Sequence, residues 1–125
     1  MRPRVLVVED DSDLREIVCE VLENAGYDSI AAAGGEEALA VLHRPEHADL
    51  ILLDLTMPGM SGFELRERLL DTPELRSIPV VVMTASRKFD PSTLCPAGVL
   101  LKPLDTTQLL DAIDKVLPSE HQAHA

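Results

Sequence analysis

Residues 51–62 read ILLDLTMPGMSG, and the aspartate in this stretch, Asp54, decides how the fold is interpreted. The aliphatic residues on either side of Asp54 are typical of a strand that is buried on both faces. An unpaired carboxylate in such a strand destabilises the fold by several kcal/mol. Two explanations are open at this point: Asp54 lies where the strand leaves the sheet, or a cation holds its charge.

Short apolar runs alternate with helical periodicity along the whole chain. The runs predict strands at 5–8, 29–32, 50–53, 78–83 and 98–101. Capping patterns predict helix starts near Ser12, at Ser61 with Glu64, and at Asp105 with Gln108, and a short helix follows Gly34. The first helix is expected to bury one face, made of Leu14, Ile17, Val18, Val21 and Leu22. Apolar strands that alternate with helices indicate an α/β fold with a doubly wound parallel sheet of five strands.

Length and composition restrict the class of protein. A chain of 125 residues with 46% hydrophobic residues predicts one globular domain, expected at 1–118, with a mobile tail at 119–125. The formal net charge of −11 argues against direct binding of nucleic acid and favours a metal cation or a basic protein surface. Neither a signal peptide nor a membrane span is predicted, so we expect a cytoplasmic protein with no membrane partner.

Polar side chains follow four of the five predicted strands. Ligands of doubly wound sheets bind beyond the carboxyl ends of the strands. The residues at those ends are Glu9, Asp10 and Asp11 after the first strand, Asp54 and Thr56 after the third, Thr84 after the fourth and Lys102 after the fifth. The second strand ends among alanines and glycines and offers no such side chain. Asp54 is therefore expected at one rim of the sheet, beside other carboxylates and a cation.

Crowded carboxylates at this rim predict a magnesium site. Neighbouring carboxylates repel one another, and Mg²⁺ relieves that repulsion through oxygen ligands. A carboxylate beside Mg²⁺, a lysine and a threonine hydroxyl can accept a phosphoryl group. For Asp11 we prefer a simpler role at the start of the first helix, where an acid is favoured by the helix dipole.

The chain resembles the receiver domain of two-component response regulators, the CheY-like fold, over residues 3–118. The resemblance is carried, in the order of the family, by VLVVEDD, ILLDLTMPGMSG, VVVMTAS and LLKPL. It implies the flavodoxin-like strand order 2-1-3-4-5. It also implies a phosphorylation-dependent switch that passes its signal to a partner or to an output domain outside this sequence, rather than an enzyme with a separate substrate.

The resemblance implies a role for each site residue. Asp54 would accept the phosphoryl group from a sensor histidine kinase or a phosphotransfer protein, and the domain would catalyse its own phosphorylation and dephosphorylation. Mg²⁺ would be held by Asp10, Asp54 and the main-chain carbonyl of Thr56, with Glu9 acting mainly through water. Thr84 and Lys102 would contact the phosphoryl oxygens, and the Lys102–Pro103 bond would be cis.

Two features depart from the family pattern. Val99 stands where the family usually has a tyrosine or phenylalanine that rotates on phosphorylation. The segment between Thr84 and Lys102 is about one helical turn shorter than expected and contains Pro91 and Pro96. The helix between the fourth and fifth strands is therefore expected to be shortened.

Two alternative functions compete with the switch. A pseudo-receiver would bind partners without phosphorylation, and Val99 together with the short segment keeps it open. A small phosphohydrolase of the haloacid-dehalogenase kind would also use an aspartyl nucleophile. Such enzymes place a second aspartate two residues after the nucleophile, a position that Thr56 occupies here.

Overall fold

The computed structural model describes residues 2–45, 48–57, 59–85 and 94–117. Strands and helices alternate along these residues until β4, which is followed directly by β5 among the described elements. The strands are β1 (Arg4–Val8), β2 (Asp28–Ala32), β3 (Leu50–Asp54), β4 (Val80–Thr84) and β5 (Gly98–Leu101). The helices are α1 (Ser12–Asn24), α2 (Gly35–Leu42), α3 (Gly62–Asp71) and α4 (Thr106–Val116). No helix in these ranges is both long enough and apolar enough to cross a membrane.

The described strands form one parallel sheet in the order β2-β1-β3-β4-β5. This arrangement confirms the predicted doubly wound α/β fold and its strand order. β4 begins at Val80 rather than at Ile78, because Pro79 has no N–H to donate to a ladder. Pro79 still contributes its carbonyl, which accepts a hydrogen bond from the Ile51 N–H at 3.0 Å.

The core consists of two aliphatic layers, one on each face of the sheet. Successive side chains of a strand point to opposite faces, and the three central strands therefore supply both layers. The layer under α2 and α3 includes Leu6, Val8, Ile51, Leu53, Val80 and Val82. The layer under α1 and α4 includes Val5, Val7, Leu50, Leu52, Val81 and Met83. Burial on both faces explains why the central strands are continuous apolar runs.

The predicted helix starts are confirmed by their capping hydrogen bonds. The Ser61 hydroxyl accepts from the Glu64 N–H at 3.2 Å, and the Asp105 carboxylate accepts from the Gln108 N–H at 3.0 Å. Asp11 caps α1 as expected, since its carboxylate accepts from the N–H groups of two first-turn residues. The Lys102–Pro103 peptide bond is cis, as the family resemblance implied.

The buried face of α1 is narrower than predicted. Val18 and Leu22 are buried, but the side chain of Ile17 is 57% exposed, so its predicted burial was wrong. Ile17 lies at the edge of the apolar face of α1. Only the part of this face that contains Val18 and Leu22 is buried against the sheet. Val99 on β5 is 43% exposed.

The connection between β4 and β5 is held in the core near β5. Leu94 is buried, and the Ala97 N–H donates to the Val80 carbonyl at 2.8 Å. Arg66 of α3, itself buried, donates through Nε to the Leu94 carbonyl at 2.6 Å and through Nη2 to the Cys95 carbonyl at 3.1 Å. Residues 86–93 lie outside the described ranges, so the expected shortening of a helix there stays a prediction. The same applies to the tail at 119–125.

Candidate functional site

Three charged residues extend the side-chain alternation of neighbouring strands on the same face of the sheet. Glu9 follows Val5 and Val7 of β1, Asp54 follows Leu50 and Leu52 of β3, and Lys102 follows Leu100 of β5. Their apolar predecessors all pack under α1 and α4. Because the strands are parallel, the three charged side chains arrive together at the carboxyl end of the sheet.

Lys102 joins the two buried carboxylates. Its Nζ lies 2.7 Å from Glu9 Oε1 and 3.4 Å from Asp54 Oδ1. Glu9 is fully buried, and Asp54 is 2% exposed. These contacts answer the question raised by Asp54. The residue ends β3 inside the protein rather than at an exposed rim, and a cation lies beside it.

The environment of Asp54 makes its carboxyl a weaker acid than an exposed aspartate when no metal is present. Burial and a hydrogen bond with the Glu9 carboxyl raise the pKa of Asp54 from its usual 3.8 to about 7. The Thr56 N–H, which donates to Asp54 Oδ1 at 3.2 Å, and the charge of Lys102 act in the opposite direction. One carboxylate oxygen of Glu9 lies within 4.8 Å of one of Asp54, and this proximity disfavours the ionised form of Asp54.

Lys102 keeps its charge in this partly buried position. Burial by itself lowers the pKa of Lys102, but the hydrogen bond to Glu9 and the charge of Asp54 outweigh burial and raise the pKa. Two buried carboxylates and one ammonium leave the site with an excess of negative charge when all three are ionised. That excess, in a low-dielectric environment, is what a divalent cation would neutralise.

Asp10 completes a set of oxygen donors for a metal. One carboxylate oxygen from each of Glu9, Asp10 and Asp54 lies within 4.8 Å of the other two. Asp10 is exposed, whereas the other two are buried. Hard oxygen ligands that combine buried carboxylates with one side open to water suit Mg²⁺, which usually keeps several waters. The residues present therefore fit the ion that the sequence predicted.

The two threonines lie next to this cluster. Thr84 is buried at the end of β4, and its carbonyl accepts a hydrogen bond from the Lys102 N–H at 2.9 Å. Thr56 is exposed two residues after Asp54. The structure thus places both residues at the predicted site. The metal contact of Thr56 and the phosphoryl contact of Thr84 stay predictions.

Two residues of the site were not found from the sequence. Arg15 of α1 donates through Nη1 to the Glu9 carbonyl at 2.8 Å, and only the folded chain brings these two groups together. A Cβ atom at Gly62 would lie 2.4 Å from the Asp54 carbonyl oxygen, so α3 packs directly on the main chain after the aspartate. The second glycine in PGMSG, Gly62, was a sequence signal for this close packing of α3, since close backbone contacts require glycine.

Comparison with known proteins agrees with this geometry. Residues 5–114 match the response regulator receiver domain family. The sporulation initiation phosphotransferase F of Bacillus subtilis is 34% identical over 122 residues, which cover 94% of this chain and 96% of that protein.

Solved structures show the same architecture. The chemotaxis protein CheY4 of Vibrio cholerae superposes with a TM-score of 0.87 at 30% identity, covering 94% of this chain and all of that one. The response regulator TrrA of Thermotoga maritima, solved in complex with Mg²⁺ and BeF, gives a TM-score of 0.81 at 30% identity. That match covers 92% of this chain and 99% of TrrA.

The chain therefore belongs to the response regulator receiver domain family of two-component systems. Receiver domains are signalling modules rather than enzymes with separate substrates, and they interact with histidine kinases or phosphotransfer proteins. Receiver domains bind Mg²⁺ through an acidic pocket, and this chain has an acidic cluster of Glu9, Asp10 and Asp54 at the same end of its sheet.

Proposed function

We propose that this chain is a phosphorylation-dependent switch that accepts a phosphoryl group on Asp54. The phosphodonor would be the phosphohistidine of a sensor kinase or of a phosphotransfer protein. The observation that carries the proposal is the convergence of Glu9, Asp54 and Lys102 from three strands onto one buried cluster. A buried carboxylate flanked by a lysine is the arrangement that an aspartyl phosphate needs.

The chemical step is an in-line displacement at phosphorus. A carboxylate oxygen of Asp54 forms the new P–O bond while the P–N bond to the donor imidazole breaks, and the released imidazole nitrogen takes a proton. The Lys102 ammonium is close enough to Asp54 to pair with an oxygen of the incoming phosphoryl group. The Thr84 hydroxyl is proposed as a hydrogen-bond donor to another of these oxygens.

Mg²⁺ would be held by Asp10 and Asp54, with Glu9 acting mainly through water and the Thr56 main-chain carbonyl as a further ligand. When bound, the ion supplies charge neutralisation for the phosphoryl oxygens. The binding of Mg²⁺ with BeF by TrrA supports the same use of the site here. Asp54 must lose its proton to react, and Lys102 favours that loss.

The test is incubation with Mg²⁺ and acetyl phosphate, followed by intact mass measurement. The wild-type chain is expected to gain the mass of one phosphoryl group, which hydroxylamine should remove because an acyl phosphate is labile. Asp54→Asn should gain none, and Asp111→Asn, an exposed change on α4, should behave as wild type. Persistence of the adduct in Asp54→Asn would refute the assignment.

The proposed set of Mg²⁺ ligands is tested separately by calorimetric titration with Mg²⁺. Asp10→Asn removes a proposed ligand and should weaken binding by well over tenfold. Asp11→Asn alters only the helix cap and should change the affinity little. Equal losses in the two variants would contradict the proposed ligand set.

The two alternatives are distinguished by the same measurements. A wild-type chain that binds Mg²⁺ or a partner but never gains a phosphoryl group would be a pseudo-receiver. The phosphohydrolase alternative is not supported, because Thr56 occupies the position of its general acid and the chain belongs to the receiver family. The cytoplasmic location stays a prediction.

A further inference from the structure

Arg15 holds both neighbours of Asp10. Its main-chain N–H donates to the Asp11 carbonyl at 2.9 Å, which is the first hydrogen bond of α1. Its side chain turns back towards β1, where Nη1 donates to the Glu9 carbonyl at 2.8 Å. One residue therefore connects the last residue before Asp10 with the first residue after it.

The segment from Glu9 to Asp11 is restrained at several other points. The Glu9 N–H donates to the Ala32 carbonyl at 3.1 Å, and the Asp11 N–H donates to Glu9 Oε2 at 3.2 Å. By contrast, no hydrogen bond or ion pair within the described parts of the chain holds the side chain of Asp10, which is exposed. The position of the Asp10 carboxylate is consequently set by its main chain.

We infer that Arg15 is a positioning residue for the metal site, acting on Asp10 through the Glu9 carbonyl. The inference rests on the proposed Mg²⁺-dependent function. Without the Arg15 side chain, the Glu9–Asp10 peptide would lose its only described side-chain donor, and Asp10 would sample orientations away from the other carboxylates. Residues that orient metal ligands affect the affinity even though they do not touch the ion.

Because Arg15 is positively charged, the direction of the change in Mg²⁺ affinity distinguishes a positioning role from simple charge repulsion. A guanidinium near a cation site repels the cation, so removing the charge alone would strengthen Mg²⁺ binding. Removing a positioning contact would weaken it. Arg15→Met removes both the charge and the donor, while Arg15→Lys keeps the charge and a donor of similar reach.

The experiment is a calorimetric Mg²⁺ titration of wild type, Arg15→Lys and Arg15→Met, with Arg76→Met as the control. Arg76 is exposed, lies after α3 at the opposite end of the sheet, and undergoes the same change of charge. We expect Arg15→Met to weaken binding by about tenfold and Arg15→Lys to weaken it less. The control should match wild type.

A second readout does not depend on the metal. In metal-free protein, amide hydrogen exchange at Asp11 should be faster in Arg15→Met, because its acceptor on Glu9 becomes less ordered. If Arg15→Met does not fold at the assay temperature, Arg15→Leu, which also removes both the charge and the donor, replaces it in the same comparison.

The outcomes separate this inference from the proposed function. Wild-type protein that fails to bind Mg²⁺ would overturn both. Wild-type binding with equal or tighter binding by Arg15→Met would overturn only the role of Arg15.

Discussion

The buried Asp54 carboxyl should make the metal-free protein less stable as the pH rises. In the unfolded chain this group ionises near its usual pKa of 3.8, whereas in the folded protein its pKa is about 7. Between these values the folded state retains a proton that the unfolded state has released. Stability therefore decreases with increasing pH through this window, and the full loss is reached above the folded pKa.

The magnitude follows from the size of the shift. One pH unit of pKa difference corresponds to about 1.4 kcal/mol. Between about pH 5 and pH 8, ionisation of this single group should lower the free energy of unfolding by about 2 to 3 kcal/mol. For a domain of this size, that corresponds to a decrease in melting temperature of roughly 10 °C.

Asp54→Asn isolates this contribution because asparagine does not titrate. The stability of the variant relative to wild type should increase by about 2 to 3 kcal/mol from about pH 5 to pH 8. The measurement is urea unfolding, followed by circular dichroism in the presence of a chelator, at each pH. Other titrating groups largely cancel in the difference between the two proteins.

Asp111→Asn is the matched control, since it removes one exposed carboxylate from α4. Its difference from wild type should change little with pH. A difference between Asp54→Asn and wild type that stays constant over this range, or that falls as the pH rises, would refute the account of Asp54 as a buried acid beside Glu9.

Three further predictions concern residues that support the site or the core. Gly62→Ala should destabilise the protein by about 1 to 3 kcal/mol in thermal unfolding, because its Cβ would lie 2.4 Å from the main-chain oxygen at the end of β3. Gly34→Ala, whose Cβ meets nothing within 4 Å, is the control, and equal effects would contradict this packing argument. Arg66→Ala should lower the free energy of unfolding by about 2 to 4 kcal/mol and speed amide exchange just before β5, since two carbonyls lose a buried donor. Arg68→Ala, an exposed change on the same helix, should do neither; unchanged exchange in the Arg66 variant would refute its role as an anchor. Tyr27→Phe should lower the free energy of unfolding by about 1 kcal/mol, because the hydroxyl of this buried ring donates to the Asp114 carboxylate of α4. An unchanged free energy of unfolding would mean that this hydrogen bond adds nothing to stability.

The sequence by itself determined the alternation of strands and helices and the end of the sheet at which the charged groups meet. Both follow from local rules. Apolar strands, capping residues such as Ser61 and Asp105, and the alternation of side chains along a strand each depend on a few neighbouring residues. Placing Asp54 and Lys102 together needed only the additional rule that parallel strands end on one side of a sheet. The family resemblance then supplied the strand order and the roles.

Only the tertiary structure decided how the charges are arranged and held. The pKa of Asp54 depends on its burial and on its contact with Glu9, which is 45 positions earlier in the chain. The anchoring of the chain before β5 by Arg66 has no signal in the local pattern, because an arginine within an amphipathic helix is usually exposed. Conversely, the periodicity of α1 predicted burial of Ile17, although the sheet covers too narrow a stripe of the helix to reach it. Such contacts between distant parts of the chain depend on three-dimensional packing, which a periodic pattern does not encode.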